Sequence, residues 1–147
     1  FKPIHKRYVG NMRTTDLDNK ERNWKISGRV AKNNDTKHKS KYHLKARVLL
    51  KQIFPTCKIL EEVSVPVRIR ETLYLDFFLP LHKLCIEVHG QQHYEFIPFY
   101  HGTRLGFAQA KKRDRDKLEW CEQNGITVIE LPYSEKENEW RKRIEDR

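Results

Sequence analysis

The segment Leu73–His93, LYLDFFLPLHKLCIEVHGQQH, constrains this chain more than any other. It sets one carboxylate, Asp76, inside an apolar run and a second, Glu87, inside the next. Burying a carboxylate is costly unless it is paired or holds a cation. Two of them on successive strand-like runs, followed by His89, Gly90, Gln92 and His93, mark a site rather than a plain core. Side chains alternate across a strand, so Glu87 shares a face with Cys85 and His89, and Asp76 with Tyr74 and Phe78. If the two strands are neighbours, the acids converge at their ends. Two carboxylates with room for water suit a hard cation such as Mg²⁺. Two solvent-facing acids on an amphipathic sheet would explain either one alone, but less readily the pair with its histidines.

The rest of the chain supplies a scaffold for such strands. HLKARVLLKQIF reads as a helix, with Leu44, Val48 and Ile53 on one stripe and Leu49 and Leu50 on a second, ended by Pro55. CKILEEVSVPV and RETLYLDFFLP read as a hairpin turning near 67–71, and KLCIEVHG as a short strand stopped by Gly90. Residues 91–103 form a loop rich in aromatics and histidine. A long helix is expected over about 104–124 with Gly125 as its stop, then a buried strand, ITVIELPY. Ser134 and Glu137 suggest a capping box for a terminal helix. These elements give an α/β (α+β) fold in the order α-β-β-β-α-β-α, a mixed sheet of about four strands flanked by helices.

Charge divides the 147 residues unevenly. Residues 1–40 hold 11 basic and four acidic side chains, a net +7, whereas the remainder carries only +3 of the total of +10. That composition reads as a basic N-terminal arm over 1–40 ahead of a near-balanced domain over 41–147, and the excess favours a polyanionic partner such as nucleic acid. A solubilising tail is the plainer explanation of the same charge. Cys57, Cys85 and Cys121 are odd in number and form no CxxC pair, which points to reduced intracellular thiols. No apolar run approaches membrane-spanning length and no signal peptide opens the chain. Because it begins at Phe1, a fragment of a longer protein is expected.

On the long helix, Asp114, Leu118 and Cys121 fall on one stripe while Asp116 points nearly the opposite way. Asp114 is therefore placed to orient an imidazole or support a metal shell, although an edge acid paired with Lys111 or Lys117 is the plainer alternative. His89 and His93 are candidate general acids or bases, since imidazole titrates near neutrality. Zinc has little support without HExxH or a Cys/His cluster, and no phosphate-binding glycine loop, nucleophile elbow or kinase signature is present.

The run LDFFLP … LCIEVHGQQHY … RDRDKLEWCEQNGITVIEL resembles the core of the PD-(D/E)XK, restriction-endonuclease-like nucleases. More narrowly, it resembles the very-short-patch-repair type and the related EDxHD phage homing endonucleases. The resemblance covers roughly residues 42–133. It implies a restriction-endonuclease-like core and a metal-dependent DNA endonuclease of the homing type, using Mg²⁺ or Mn²⁺ to hydrolyse phosphodiesters of double-stranded DNA. Asp76 and Glu87 would be the metal-binding acids, His89 would replace the family's usual lysine, His93 would match the Gln-His element, and Asp114 the helix acid. His43 stands where the first helix usually carries a glutamate, with Glu61 or Glu62 as substitutes off that helix. Gln92 and Lys117 would be accessory.

Phosphate contacts are expected from Lys37, Lys39, Lys41, Lys45 and Arg47. A blunt double-strand cut would require two active sites and hence a homodimer on DNA. The resemblance also implies an intracellular, cytoplasmic setting, encoded by a phage or mobile element in a bacterial host, and no membrane. Rival readings are a strand-nicking repair endonuclease or junction resolvase on the same fold, and a nucleic-acid-binding module without catalysis, which the histidine at position 43 favours.

Overall fold

The computed structural model describes the backbone of residues 7–147 and side chains from Gly10 onward. Six strands lie side by side in sequence order: β1 (Arg7–Thr15), β2 (Glu21–Val30), β3 (Leu60–Arg68), β4 (Glu71–Leu79), β5 (Leu84–His89) and β6 (Thr127–Pro132). Neighbours are antiparallel except β5 and β6, which run parallel. A parallel pair cannot be joined by a tight turn. Its crossover is the long helix α3 (Arg104–Gln123), preceded by the short α2 (Pro98–His101); α1 (Lys41–Ile53) and α4 (Glu137–Glu145) complete the helices. The fold is thus α+β around an open mixed sheet.

Local chemistry sets the helix ends. Ser40 caps α1 by accepting from the His43 N–H at 3.0 Å, and Pro55 follows its last turn. Thr103 caps α3 in the same way through the Gly106 N–H. At the other end Gly125 takes φ 71°, a backbone that side chains disfavour. Helix α4 begins at Glu137 after Lys136 with no side-chain cap, so the box expected from Ser134 does not form.

Each face of the sheet has its own core. One gathers Leu49 and Leu50 of α1, Phe77, Leu79, Ile86 and Leu131 of the sheet, and Trp140 and Ile144 of α4. The buried stripe of α1 runs through His43, Ala46, Arg47 and Leu50 with Leu49, leaving Val48 exposed, which corrects the stripe expected through Val48. The other core joins Val63, Val65, Leu75, Phe78 and Cys85 to Trp120 and Cys121 of α3 and to Trp24 and Ile26 of β2.

That second core explains the largest departure from expectation. Residues 7–30 are not an arm: they form a hairpin, so the sheet has six strands rather than four. Trp24 and Ile26, which hint in the sequence that part of the segment docks, are its buried anchors, set among basic side chains at the exposed positions. Strand β2 pairs with β3 only at Arg29–Glu61 and Val30–Leu60, then leaves the ladder. Gly28 permits the departure, since a Cβ there would come within 2.8 Å of Val63 Cγ2. The Trp24 indole N–H donates to the Ser64 carbonyl at 2.9 Å, and its ring packs on Phe78 and edge-on to Trp120. Asn124 and Gln123, at the end of α3, bond the backbone of Thr15 and Asp16. The hairpin is a cover for the α3 face.

On the opposite face a buried carboxylate anchors α1. Arg47 grips Glu61 with two N–H bonds of 2.6 and 2.8 Å and spends a third nitrogen on the carbonyls of Lys32 and Asp35. His43 Nε2 lies 2.8 Å from Glu61, and its ring stacks on Phe77. Lys39 bonds Glu62. Arg47, 1% exposed, is therefore a structural clamp and not a phosphate contact, and Lys39 is likewise engaged. Burial alone would raise the Glu61 carboxyl, but His43 and Arg47 outweigh it and hold the pKa at about 2.

Removing one partner of a buried ion pair leaves the other unsatisfied, so Glu61→Ala should lose about 3–5 kcal/mol in urea unfolding. Because the folded-state pKa lies below the ordinary 4.5, this stabilisation is complete above that pH and is lost as pH falls toward 2. Unfolding across that window should show a flatter pH dependence for Glu61→Gln than for the parent.

Candidate functional site

The site begins where β4 and β5 part. Their ladder runs from Leu79–Leu84 to Phe77–Ile86 and stops. One step further, Asp76 and Glu87 face each other, and each carboxylate takes a backbone donor from the opposite strand. The Asp76 N–H donates to Glu87 Oε2 at 2.7 Å, and the Val88 N–H donates to Asp76 Oδ2 at 2.8 Å. Side chains have replaced carbonyls as acceptors, so both N–H groups stay satisfied while the strands splay.

The neighbouring strand accommodates the break. Leu60 and Val63 of β3 join the same core, as do Leu75 and Phe78 of β4, although each spacing is odd. The inward alternation therefore slips by one at Glu62, whose φ is 52°, and beside it at Asp76. The β4 acid sits at a pleat reversal rather than in a regular strand.

Helix α3 brings a cation and a second acid to the gap. Lys117 Nζ lies 2.9 Å from Glu87 Oε1, with the lysine side chain 18% exposed. Burial would lower the Lys117 pKa, but the Glu87 and Asp76 charges outweigh it and raise it. Glu87 is pushed up to about 7, first by burial and then by the Asp76 charge, against the pull of Lys117. One ammonium thus leaves the two acids incompletely balanced.

Imidazoles form the far wall. His93 Nδ1 lies 3.1 Å from Asp114 Oδ2, and the His89 and His93 rings stack at 4.2 Å with planes 7° apart. Burial, then the His93 charge, lowers the His89 pKa to about 4, so that ring is neutral at ordinary pH. Burial raises Asp114, yet the His93 hydrogen bond and nearby positive groups hold it below its usual value. Glu130 on β6 stands beside Glu87 in the parallel register and 3.5 Å from His89 Nδ1. Asp76, Glu87 and Glu130 thus occupy one row across three adjacent strands.

The structure brings together Asp76, Glu87, His89, His93 and Asp114, with Lys117 at their centre. Gln92 lies beside them, lining a cavity shared with His93 and Asp114. His43 and Glu61 do not join them: they are spent on each other on the α1 face, behind Phe77. Asp116, expected to point away, is buried against Arg68 and Lys112, while Leu118 of the supposed inward stripe is exposed. Glu130 was missed because an acid next to Leu131 on a last strand reads as an ordinary edge residue. Lys117 carried one signal: it lies three residues after Asp114, on the same side of a helix.

Two carboxylates at a strand end fit a Mg²⁺-like ion that keeps most of its waters. Among the described residues no three His, Cys, Asp or Glu side chains converge into a metal cluster, and the three cysteines are free thiols. No helix of the described residues is long and apolar enough to cross a membrane.

These features define an α+β protein with a carboxylate–lysine–histidine cluster where two strands part. Three viral proteins are similar to it. The uncharacterized protein 307L of Invertebrate iridescent virus 6 is 40% identical over 65 residues, 44% of this chain and 33% of that protein. The uncharacterized protein 033L of Invertebrate iridescent virus 3 is 38% identical over 62 residues, 42% and 32%. The uncharacterized protein 094L of Frog virus 3 is 38% identical over 68 residues, 46% and 44%. The matched region spans less than half the length of each of these curated relatives. No family model and no solved structure matches the chain. The relatives are viral, but their names point to invertebrate and frog hosts, which gives no support to a bacterial one.

Two substitutions should move Glu87 in opposite directions. Asp76→Asn removes the opposing charge and should lower its titration midpoint below about 7, whereas Lys117→Met removes the favourable charge and should raise it. Carbon-13 NMR of labelled glutamate side chains would read both shifts.

Proposed function

We propose that this protein is a metal-dependent endonuclease that hydrolyses phosphodiester bonds of DNA, built on a restriction-endonuclease-like core. The observation that carries the reading is the reciprocal Asp76–Glu87 pair at a strand end, under-neutralised by Lys117 and faced by a carboxylate-tethered histidine. The parallel β5–β6 unit with its α3 crossover, beside the antiparallel β3–β4–β5 meander, is the support the fold gives. A homing-type role is the finer form of the same proposal.

Asp76 and Glu87, with the Val88 carbonyl, would hold Mg²⁺ or Mn²⁺, which when bound supplies phosphate polarisation and a more acidic water. Lys117 pulls Glu87 toward its ionised form and orients it through its ammonium. Asp114 accepts from His93 Nδ1, which leaves Nε2 as a lone-pair nitrogen able to take the proton of an attacking water. His89, neutral and stacked, fixes the plane of the His93 ring. His93 is thus the general base, and His89 a positioning residue.

Phosphate contacts come from cations other than Arg47. Lys37 and Lys41 are exposed beside the N-terminus of α1, and Arg113 and Arg115 are exposed on α3, lining the cavities at the site. A nucleic-acid-binding module without hydrolysis is the second reading, supported by the engagement of His43 with Glu61, which leaves the first helix without an acid at the site.

Supercoiled plasmid incubated with the protein and Mg²⁺ or Mn²⁺ should be cut. Asp76→Ala and Glu87→Ala should each fall below about one-hundredth of the parent rate, because Lewis-acid polarisation is worth several kcal/mol and each 1.36 kcal/mol is tenfold. His93→Ala should lose about 10²–10⁴-fold. Equal cutting by the acid variants would sink the site. Binding without metal-dependent cutting by the parent would favour the module, and nicked against linear product separates a strand-nicking enzyme from a double-strand one.

A further inference from the structure

Beside the proposed reaction site, the loop between β5 and α3 holds aromatic side chains in a way that packing does not explain. Phe99 is 89% exposed and Tyr100 61%, both on α2, with Leu105 exposed at the start of α3. Their rings meet edge to face at 5.2 Å. The turn that presents them is braced from behind. Phe96, His101 and Phe107 form a packed set with centroids 4.9–6.3 Å apart, and His101 Nδ1 accepts the Ile97 N–H at 3.0 Å. Gly106 lets α3 start against this turn, since a Cβ there would collide with the His101 carbonyl oxygen. Two exposed rings thus sit on a braced turn.

The charge around them is chiefly positive. Arg104 lies 4.5 Å over Phe96, and Lys111 lies 5.7 Å from the rings of both Tyr94 and Phe107. Of the nearby acids, Asp114 is engaged by His93 and Asp116 by Arg68 and Lys112, whereas Glu95 keeps its charge beside the neutral Gln91 amide. A cavity of about 300 Å³ is lined by Tyr100, Phe107 and Lys111 together with His93, Asp114 and Lys117, and so joins platform and site. Exposed rings interleaved with free cations match a polyanion carrying flat apolar groups. Intact duplex hides those groups in its stack, whereas unpaired nucleotides present them.

We infer that Phe99 and Tyr100 form a stacking platform for unpaired bases, which makes the substrate class of the neighbouring site a nucleic acid with a single-stranded or bulged segment rather than a plain duplex. This rests on the reading of that site as one acting on nucleic acid. The cations of α3 hold the phosphates, the rings hold bases that have left the stack, and the cavity leads the strand toward His93. The cost of unstacking is least where bases are already unpaired, which gives the preference its direction.

The test is binding without metal, so that cleavage plays no part. Fluorescence anisotropy would compare a labelled single strand, the perfect duplex of the same sequence, and that duplex carrying a bulge of unpaired nucleotides. The parent should bind the single strand and the bulged duplex more tightly than the perfect one. Phe99→Ala with Tyr100→Ala should weaken those two by about ten-fold or more and leave the perfect duplex within about two-fold, since base–aromatic stacking is the contact removed. Both positions are exposed, and an unchanged melting temperature would show the fold intact. Phe99→Trp with Tyr100→Trp should retain the preference. Equal parental affinity for perfect and bulged duplex would overturn the inference, as would undiminished binding by the alanine variant. So would sedimentation showing that the alanine substitutions convert a dimer to a monomer, which would make the patch a self-association surface. An inactive chain that kept the preference would sink the nuclease reading alone.

Discussion

The exchange of hydrogen bonds between Asp76 and the β5 backbone, and between Glu87 and the β4 backbone, is the constraint around which the sheet is arranged. Strands that diverge must leave N–H groups without carbonyl partners, and a buried orphan N–H costs about as much as a lost hydrogen bond. Here each carboxylate supplies the missing acceptor on the opposite strand. The acids are therefore part of the hydrogen bonding of the sheet. They keep the splayed strands satisfied, and the splay keeps them close without fusing the gap.

Helix α3 turns that gap into a site. The parallel β5–β6 pair demands a crossover, and the crossover lays a long helix along the face where the acids emerge. Along it, Asp114 meets His93, Lys117 meets Glu87, Trp120 and Cys121 enter the core, and Asn124 fastens the hairpin. Topology and chemistry share one element. Slippage of α3 by a turn would break the site and the packing together.

Much of this was legible in the sequence, for physical reasons that also define the limits. Asp76, Glu87, His89 and His93 stood out because charged and imidazole groups inside apolar runs need partners. Asp114 followed from helical spacing only in part, since Leu118 on the same stripe is exposed and Asp116 is buried. The hairpin did not, because its exposed faces are basic and polar while its apolar set, led by Trp24 and Ile26, is short. Arg47 and Glu61 misled separately: a basic residue on a basic helix reads as surface, and only the fold reveals that it clamps a buried acid and two loop carbonyls. Long-range pairing leaves no local signal. Asp116 shows the same limit, since its partner Arg68 lies 48 positions away.

The way β2 leaves the sheet bears on what can be removed from the chain. Because only two residue pairs tie β2 to β3, the hairpin is held largely by side chains, above all by Trp24 against Phe78 and Trp120, with one further backbone bond from the Leu17 N–H to the Val67 carbonyl. A cut near residue 40, where charge alone would divide the chain, would strip the lid from an apolar face and uncover the underside of α3. The shortened protein would become adhesive. The smallest piece able to stand alone therefore includes the basic hairpin.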